Sequence, residues 1–451
     1  MSKNNHLPYL RRSLARGPRT ARELADSLGV SQPTVSRLLA ELGSEVIRLG
    51  AARSARYALR DALRGLPDMP VYRVNAQAKV EHLGQLVPVR PEGFVMHALG
   101  GASSHTDGLP WCLFDMRPQG YLGRAFALRH SASLGLPPGL SEWTDAHALR
   151  AMLAHGHDMV GDVLLGDWAR ERFLAQTVMP ALGKADKAAA YVRLSQEASR
   201  GELPGSWAAG EQPKFMAWSL VDQVPCHVLV KFSEPEDSPV SERWRDLLLA
   251  EHLALQTLNH ADLPASRTQV VDAGGQRFLE VLRFDRVGAL GRRGLISLAA
   301  LDAQFVGASP GENNWPRLAL RLLQERHLQA DAVQGAQLLW AFGTLIGNTD
   351  MHNGNLSFIT EPGQPCALAP AYDVTPMAFA PRSGGGLPNE LPEARLDAAV
   401  PAALWHQALP WAELYVHKLA QEPGLSPRFA ACVAALQRHV LEAAGRVGRL
   451  A

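Results

Sequence analysis

The sequence predicts an α+β chain with a winged helix-turn-helix at its N-terminus, then a two-lobed fold whose C-terminal lobe is mostly helical. Three observations lead there. Residues 1–66 hold twelve Lys and Arg against five Asp and Glu. Strand-like runs gather at 71–100 and 227–232, ahead of long apolar helical stretches. Late in the chain a polar loop, Asn348-Thr349-Asp350-Met351-His352-Asn353-Gly354-Asn355, sits between apolar runs. A chain of 451 residues should hold two or three domains. We place them at 1–66, 70–284 and 285–451.

Composition narrows the class. With 47% hydrophobic and 20% charged residues, this is ordinary soluble globular protein. No apolar run approaches the roughly 18–20 residues that span a membrane, and no signal-peptide core follows Met1. Cys112, Cys226, Cys366 and Cys432 are scattered and form no CxxC pair. Free thiols in a cytoplasmic setting fit, and no zinc site is expected. Net charge is +1, so the basic N-terminal piece is balanced by an acidic remainder. That split favours a polyanion as partner for the first piece alone.

The N-terminal elements justify themselves in turn. Thr20 and Glu23 form a capping box for a first helix with Leu24, Ala25 and Leu28 inward. Gly29 makes the turn. Ser31 is placed to cap a second helix, with Pro33 in its first turn and Val35, Leu38, Leu39 and Leu42 buried. This is a helix-turn-helix. Gln32, Thr34, Ser36 and Arg37 can then face a major groove. Two short strands, 46–50 and 56–59, would form a wing carrying Arg53 and Arg56 near phosphates. A domain used only for protein contacts is the alternative, and the charge excess favours DNA. Leu66-Pro67-Asp68-Met69-Pro70 reads as a linker.

Strands at 71–74, 82–87 and 93–96 predict a small sheet. Residues 141–183 predict two helices, the second carrying Leu174, Val178 and Leu182. The Gly- and Ala-rich stretch from Gly205 to Phe215 includes Ser206, Gly210, Gln212 and Lys214, and suits close approach to phosphates. Next comes the strand His227–Phe232, with Lys231 near its end. Lys231 after such a loop is the lysine expected at the α/β-phosphates of a nucleotide. Glu251, on the following helix, either pairs with Lys231 or lies on a solvated face. Phe278–Arg286 would form a hinge, with Leu282 and Phe284 flanking an adenine ring.

An apolar helix at 335–347 delivers the loop at 348, and a hairpin follows it. Asp350, Asn355 five residues on, and Asp373 stand in the order of a protein-kinase-type phosphotransfer site. Asp350 would take a hydroxyl proton. Asn355 and Asp373 would hold Mg²⁺ against ATP. His352 would contact phosphate or brace the loop.

At these residues the chain resembles the HipA family of serine/threonine kinase toxins. The motifs are Gly210-Glu211-Gln212-Pro213-Lys214, Val230-Lys231, Val281 to Arg286, Thr349 to Asn355, and Tyr372-Asp373. Phe114 to Gly120 looks like the family's Pro-containing connector. The N-terminal helix-turn-helix resembles the YjjJ-like subgroup. The resemblance implies a protein-kinase-like HipA-type fold and ATP- and Mg²⁺-dependent phosphorylation of a protein, with translation factors and aminoacyl-tRNA synthetases as precedents. It also implies autophosphorylation of a serine in the Gly-rich loop. Here Trp207 stands at the family's serine position and Ser206 one residue earlier, which departs from the pattern. Many family members have a separate DNA-binding antitoxin; this chain's own helix-turn-helix leaves both arrangements open. A small-molecule kinase, or a transcription regulator whose kinase-like part senses a ligand, are the alternatives.

Overall fold

The computed structural model describes residues 6–50, 55–201, 211–308 and 314–450. At the N-terminus lie α1 (His6–Leu14), β1 (Arg19–Thr20), α2 (Ala21–Leu28), α3 (Gln32–Leu42), β2 (Val46–Leu49) and β3 (Arg56–Leu59). Thr20 Oγ1 accepts from the Glu23 N–H, and Glu23 accepts from the Thr20 N–H at 2.7 Å, so the capping box is present. Gly29 closes α2 at φ +63°, a left-handed conformation that suits glycine. Ser31 departs from expectation. It has N-cap backbone geometry, but its hydroxyl meets Thr34 Oγ1 at 3.0 Å instead of a backbone N–H. The third helix, α1, was not anticipated; it buries Leu10 and Leu14 against Leu24, Val35 and Leu38. β1, β3 and β2 form the wing sheet.

The stretch 66–70 is no linker. β4 (Met69–Val74) begins inside it, and Leu66 and Met69 are buried. The wing packs on the next domain through Ile47, Leu49 and Ala58 against Val87, Val89 and Val95. The Asp61 N–H donates to the Pro88 carbonyl at 3.0 Å, and the Arg90 N–H to the Leu59 carbonyl at 2.8 Å. Pro67 and Pro70 suggested a loop, but proline is tolerated at the start of a strand.

The middle of the chain is a five-stranded antiparallel sheet, order β7-β6-β5-β4-β8. It comprises β4, β5 (Val80–Pro88), β6 (Phe94–Ala98), β7 (Ser103–Thr106) and β8 (Val163–Leu165). With it are α4 (Trp111–Phe114), α5 (Gly120–Leu134), α6 (Asp145–His155) and α7 (Asp167–Leu174). The two helices expected over 141–183 are α6 and α7, but the second is corrected in its bounds. β8 intervenes, bracketed by Gly161 and Gly166 at positive φ. α7 ends at Leu174, so Val178 and Leu182 lie beyond it. Pro180 cannot continue a helix, and Leu182 instead bridges to Ser219.

α8 (Lys184–Ser199) leads into a four-stranded sheet ordered β11-β12-β10-β9. Its strands are β9 (Lys214–Val221), β10 (Val224–Phe232), β11 (Thr268–Ala273) and β12 (Gln276–Leu282), with α9 (Pro239–His260) between β10 and β11. A short hairpin, β13 (Arg286–Val287) and β14 (Gly291–Arg292), follows. β15 (Gly294–Ser297) then pairs with β16 (Ser357–Thr360), and β16 with β17 (Ala367–Leu368). The remainder is helical: α10 (Leu298–Leu301), α11 (Trp315–Gln324), α12 (Ala330–Leu345), α13 (Ala402–Gln421) and α14 (Ala430–Val447). One apolar core runs from α9 through α14, so α9 joins the sheet to the helical lobe. No described helix is long and apolar enough to cross a membrane.

Candidate active site

The floor of the cleft is the loop after α12. Gly347, at φ +73°, turns the chain out of the helix. Asn348 accepts from the Asp350 N–H at 3.0 Å. Asn355 Nδ2 donates to the Asp350 carbonyl at 2.8 Å and to its carboxylate at 3.3 Å. The Asp350 side chain is 50% exposed, open to a hydroxyl arriving from solution. His352 braces the loop: its Nδ1 accepts from the Gly354 N–H at 3.0 Å, while Trp315 Nε1 donates to its carbonyl at 3.1 Å. Tyr372 donates to the Gly354 carbonyl at 2.9 Å.

The roof comes from strand register. β9 and β10 pair so that Lys214 lies directly opposite Lys231. Like charges opposed on a sheet repel, and here both are buried. Carboxylates offset them. Lys231 Nζ donates to both oxygens of Glu251, at 2.6 and 2.7 Å, and contacts the Asp373 carboxylate. Glu251 is fully buried and also accepts from Thr375 Oγ1 at 3.0 Å. Its helix therefore turns it inward, while Glu242 faces Arg428 at 3.7 Å nearer the surface. Burial opposes the Asp373 charge, yet Lys231 and then Lys214 hold its carboxyl below the ordinary value. For Lys231, burial is outweighed by Asp373 and Glu251, and its basicity is raised. Lys214 is the weaker base; burial, partly offset by Asp373, brings it down to about 8. Asp373 sits at φ +53°, a left-handed conformation that Asp tolerates better than most residues.

The side walls are apolar. Met216, Leu229, Val281, Leu282 and Leu295 line the cleft, and Phe284 lies 5.8 Å from the Tyr372 ring. Behind Phe284, the buried Asp285 accepts from Arg283, Arg286 and the Gly161 N–H. Burial works against its charge, but the two arginines keep its carboxyl far below the usual range.

Lys214, Lys231, Leu282, Phe284, Asn355 and Asp373 thus line one cleft. Glu251 stands behind Lys231, and Asp350 and His352 sit beside Asn355 at the rim. Gln212 is half-buried just before β9 and is not among the lining residues. Gly210 and Ser206 lie outside the described residues. Sequence reasoning missed Asp115, whose carboxylate accepts from the Ser297 N–H and hydroxyl at 2.6 Å each, and Gln119 beside it in the lining. It also missed Thr375. Both contacts join residues more than a hundred positions apart, which no local spacing signals.

Among the described residues no three His, Cys, Asp or Glu converge as a metal cluster. Asp373 and the Asn355 carbonyl oxygen are still a fitting pair for Mg²⁺. That ion is commonly held by one or two protein oxygens plus phosphates and water.

On the N-terminal unit, Gln32, Ser36 and Arg37 are exposed along α3 and Thr34 is half-buried. Arg37 lies 3.4 Å from Thr34 Oγ1. Arg56 is exposed, and its Nη2 donates to the Pro18 carbonyl at 3.0 Å, tying the wing to the start of β1. Arg53 lies outside the described residues.

Three family models match this chain in succession. Residues 12–45 match a bacterial regulatory protein of the arsR family, 66–174 the middle domain of a YjjJ-like toxin, and 206–441 a HipA-like C-terminal domain. The Toxin YjjJ of Escherichia coli strain K12 is 37% identical over 440 residues, covering 97% of this chain and 98% of that one. The chain belongs to the HipA-like toxins, in their YjjJ-like branch. Among solved structures, a chain of the Shewanella oneidensis MR-1 complex of HipA, HipB and operator DNA superposes with a TM-score of 0.51. The match has 16% identity and covers 84% of this YjjJ-like chain and 97% of that chain, a likeness of fold. The arsR-family match over residues 12–45 of this YjjJ-like toxin agrees with the helix-turn-helix that α2 and α3 form.

Proposed function

We propose that this YjjJ-like toxin is an ATP- and Mg²⁺-dependent serine/threonine protein kinase that inhibits growth by phosphorylating a cellular protein. The observation that carries this is the Lys231–Glu251–Asp373 cluster, whose Lys231 and Asp373 share one cleft with Asn355, itself bonded to Asp350. In this reading residues 70–284 hold the nucleotide, with Leu282 and Phe284 against its base. Lys214 and Lys231 meet the phosphates. Asp373 and Asn355 hold Mg²⁺, which when bound neutralises phosphate charge. From 285–451 comes Asp350, which orients the acceptor hydroxyl and takes its proton as the oxygen bonds to the γ-phosphorus and ADP leaves. Catalysis is then positioning and charge stabilisation.

Residues 1–66 would bind DNA through Gln32, Thr34, Ser36 and Arg37, with Arg53 and Arg56 at flanking phosphates. A translation factor or aminoacyl-tRNA synthetase is the target class the family suggests. An antitoxin that silences the kinase is a further expected partner, and the cytoplasm the expected compartment. Phosphoproteomics after induction, wild type against Asp350→Asn, tests the kinase reading. New Ser/Thr phosphosites with the wild type alone are expected. Growth arrest that persists unchanged in Asp350→Asn contradicts it.

A further inference from the structure

The loop that carries Asp350 and Asn355 rests on a side chain from another helix. Trp315 is the first residue of α11 and is 4% exposed. Asn314 fixes where that helix begins. Its Oδ1 accepts from the Arg317 N–H at 3.0 Å, and its Nδ2 donates to Asp397 at 2.5 Å. From there the Trp315 indole Nε1 donates to the His352 carbonyl at 3.1 Å. The Asn355 N–H donates to that same carbonyl at 2.9 Å. Asn355 in turn holds Asp350 through its Nδ2. One carbonyl oxygen therefore links the indole to the Asn355 backbone, and Asn355 links it to Asp350. Trp340 of α12 supplies a contrast. Its ring packs against Trp315 at 5.9 Å between centroids and 66° between planes. Its own Nε1 is buried with no hydrogen-bond partner among the described residues. The two indoles fill neighbouring space, and of the two it is Trp315 that bonds the loop.

We propose that Trp315 is a positioning residue for phosphoryl transfer: its indole N–H fixes the His352 carbonyl and, through it, the placement of Asn355 and Asp350. This rests on the kinase reading. Asp350 has to meet the acceptor hydroxyl while Asn355 stands at the phosphates. A misplacement of about 1 Å between such groups costs roughly a hundredfold in rate. Nucleotide binding draws on Lys214, Lys231, Leu282 and Phe284 and does not pass through Trp315. Losing the indole N–H orphans no buried group, because the His352 carbonyl keeps the Asn355 N–H.

Trp315→Phe and Trp340→Phe in the full chain test it as a pair. Each trims an indole to a phenyl ring, and the first also breaks a bond to the loop. Amide hydrogen exchange across residues 348–358, phosphate transfer from ATP, and binding of a non-hydrolysable ATP analogue are measured for both. Trp315→Phe should speed loop exchange and lower kcat, each about tenfold, and leave the Kd of the analogue unchanged. Trp340→Phe should leave all three at wild-type values. If Trp315→Phe does not fold, benzothienylalanine at position 315, with sulfur in place of the N–H, takes its place. Loop exchange equal to wild type in the Trp315 variant overturns the proposal. So do equal losses in both variants, or faster loop exchange with kcat unchanged. A wild-type chain that transfers no phosphate counts against the kinase reading, and the exchange comparison still decides whether Trp315 holds the loop.

Discussion

Lys214 and Lys231 face each other across two strands, yet they are unequal bases. Lys231 is locked between two carboxylates, whereas Lys214 has been lowered to about 8 from an ordinary 10.5. Its positive charge is therefore lost as pH rises through 8. Nucleotide affinity should weaken over that range, and Lys214→Arg should flatten the profile in a titration of ATP binding against pH. Stability responds to pH in the opposite sense. Between pH 8 and 10.5 the unfolded lysine still holds a proton that the folded one has released, so this residue favours folding increasingly across that window. The order of Asp350, Asn355 and Asp373 was readable because polar residues between apolar runs stand out. Glu251 was readable only as one of two alternatives, because α9 is buried on nearly every face and its periodicity marks no solvent side.

At the scale of elements, α9 and α3 make separate predictions. Glu251→Ala leaves Lys231 buried with only Asp373, and breaking such a pair should cost about 3–5 kcal/mol in urea unfolding. Glu251→Gln, which keeps the shape and a partner for Thr375, should cost less. On α3, Arg37→Ala should weaken DNA binding and, if Arg37 meets a phosphate, reduce the slope of log affinity against log salt by about 1. Fluorescence anisotropy over a salt series measures this, and a variant indistinguishable from wild type removes Arg37 from the interface. Long, periodic or capped elements were readable: the Thr20–Glu23 box, the helix before Asn348, the strand that carries Lys231 near its end. β8 was not, since three residues between two glycines carry too little pattern. α1 and α8 lacked a comparable signal of capping or motif.

At the scale of the whole molecule, the helix-turn-helix is joined to the rest by a shared core and strand-like hydrogen bonds. The proline pair around Asp68 concealed this, because turn chemistry and strand edges use the same residues. Val89 is fully buried in that junction. Val89→Asp places an unpaired charge there and should expose the 60–70 segment to limited proteolysis, where the wild type resists cleavage. Equal resistance in both proteins would show that the junction does not hold the two units together. Asp115 to Ser297 is another tie of this kind, across 182 positions, visible only once the chain is folded.

We propose that Asp350 serves phosphoryl transfer to a protein hydroxyl. Its side chain is half exposed, so Asp350→Asn should change stability by no more than about 0.5 kcal/mol. The direct measurement supplies purified chain and cell lysate with γ-labelled ATP and Mg²⁺, wild type against Asp350→Asn at matched stability. Label on protein Ser or Thr that falls by at least about a hundredfold in the variant is the predicted result. Label confined to a small metabolite, or equal protein labelling by both, contradicts that role for Asp350.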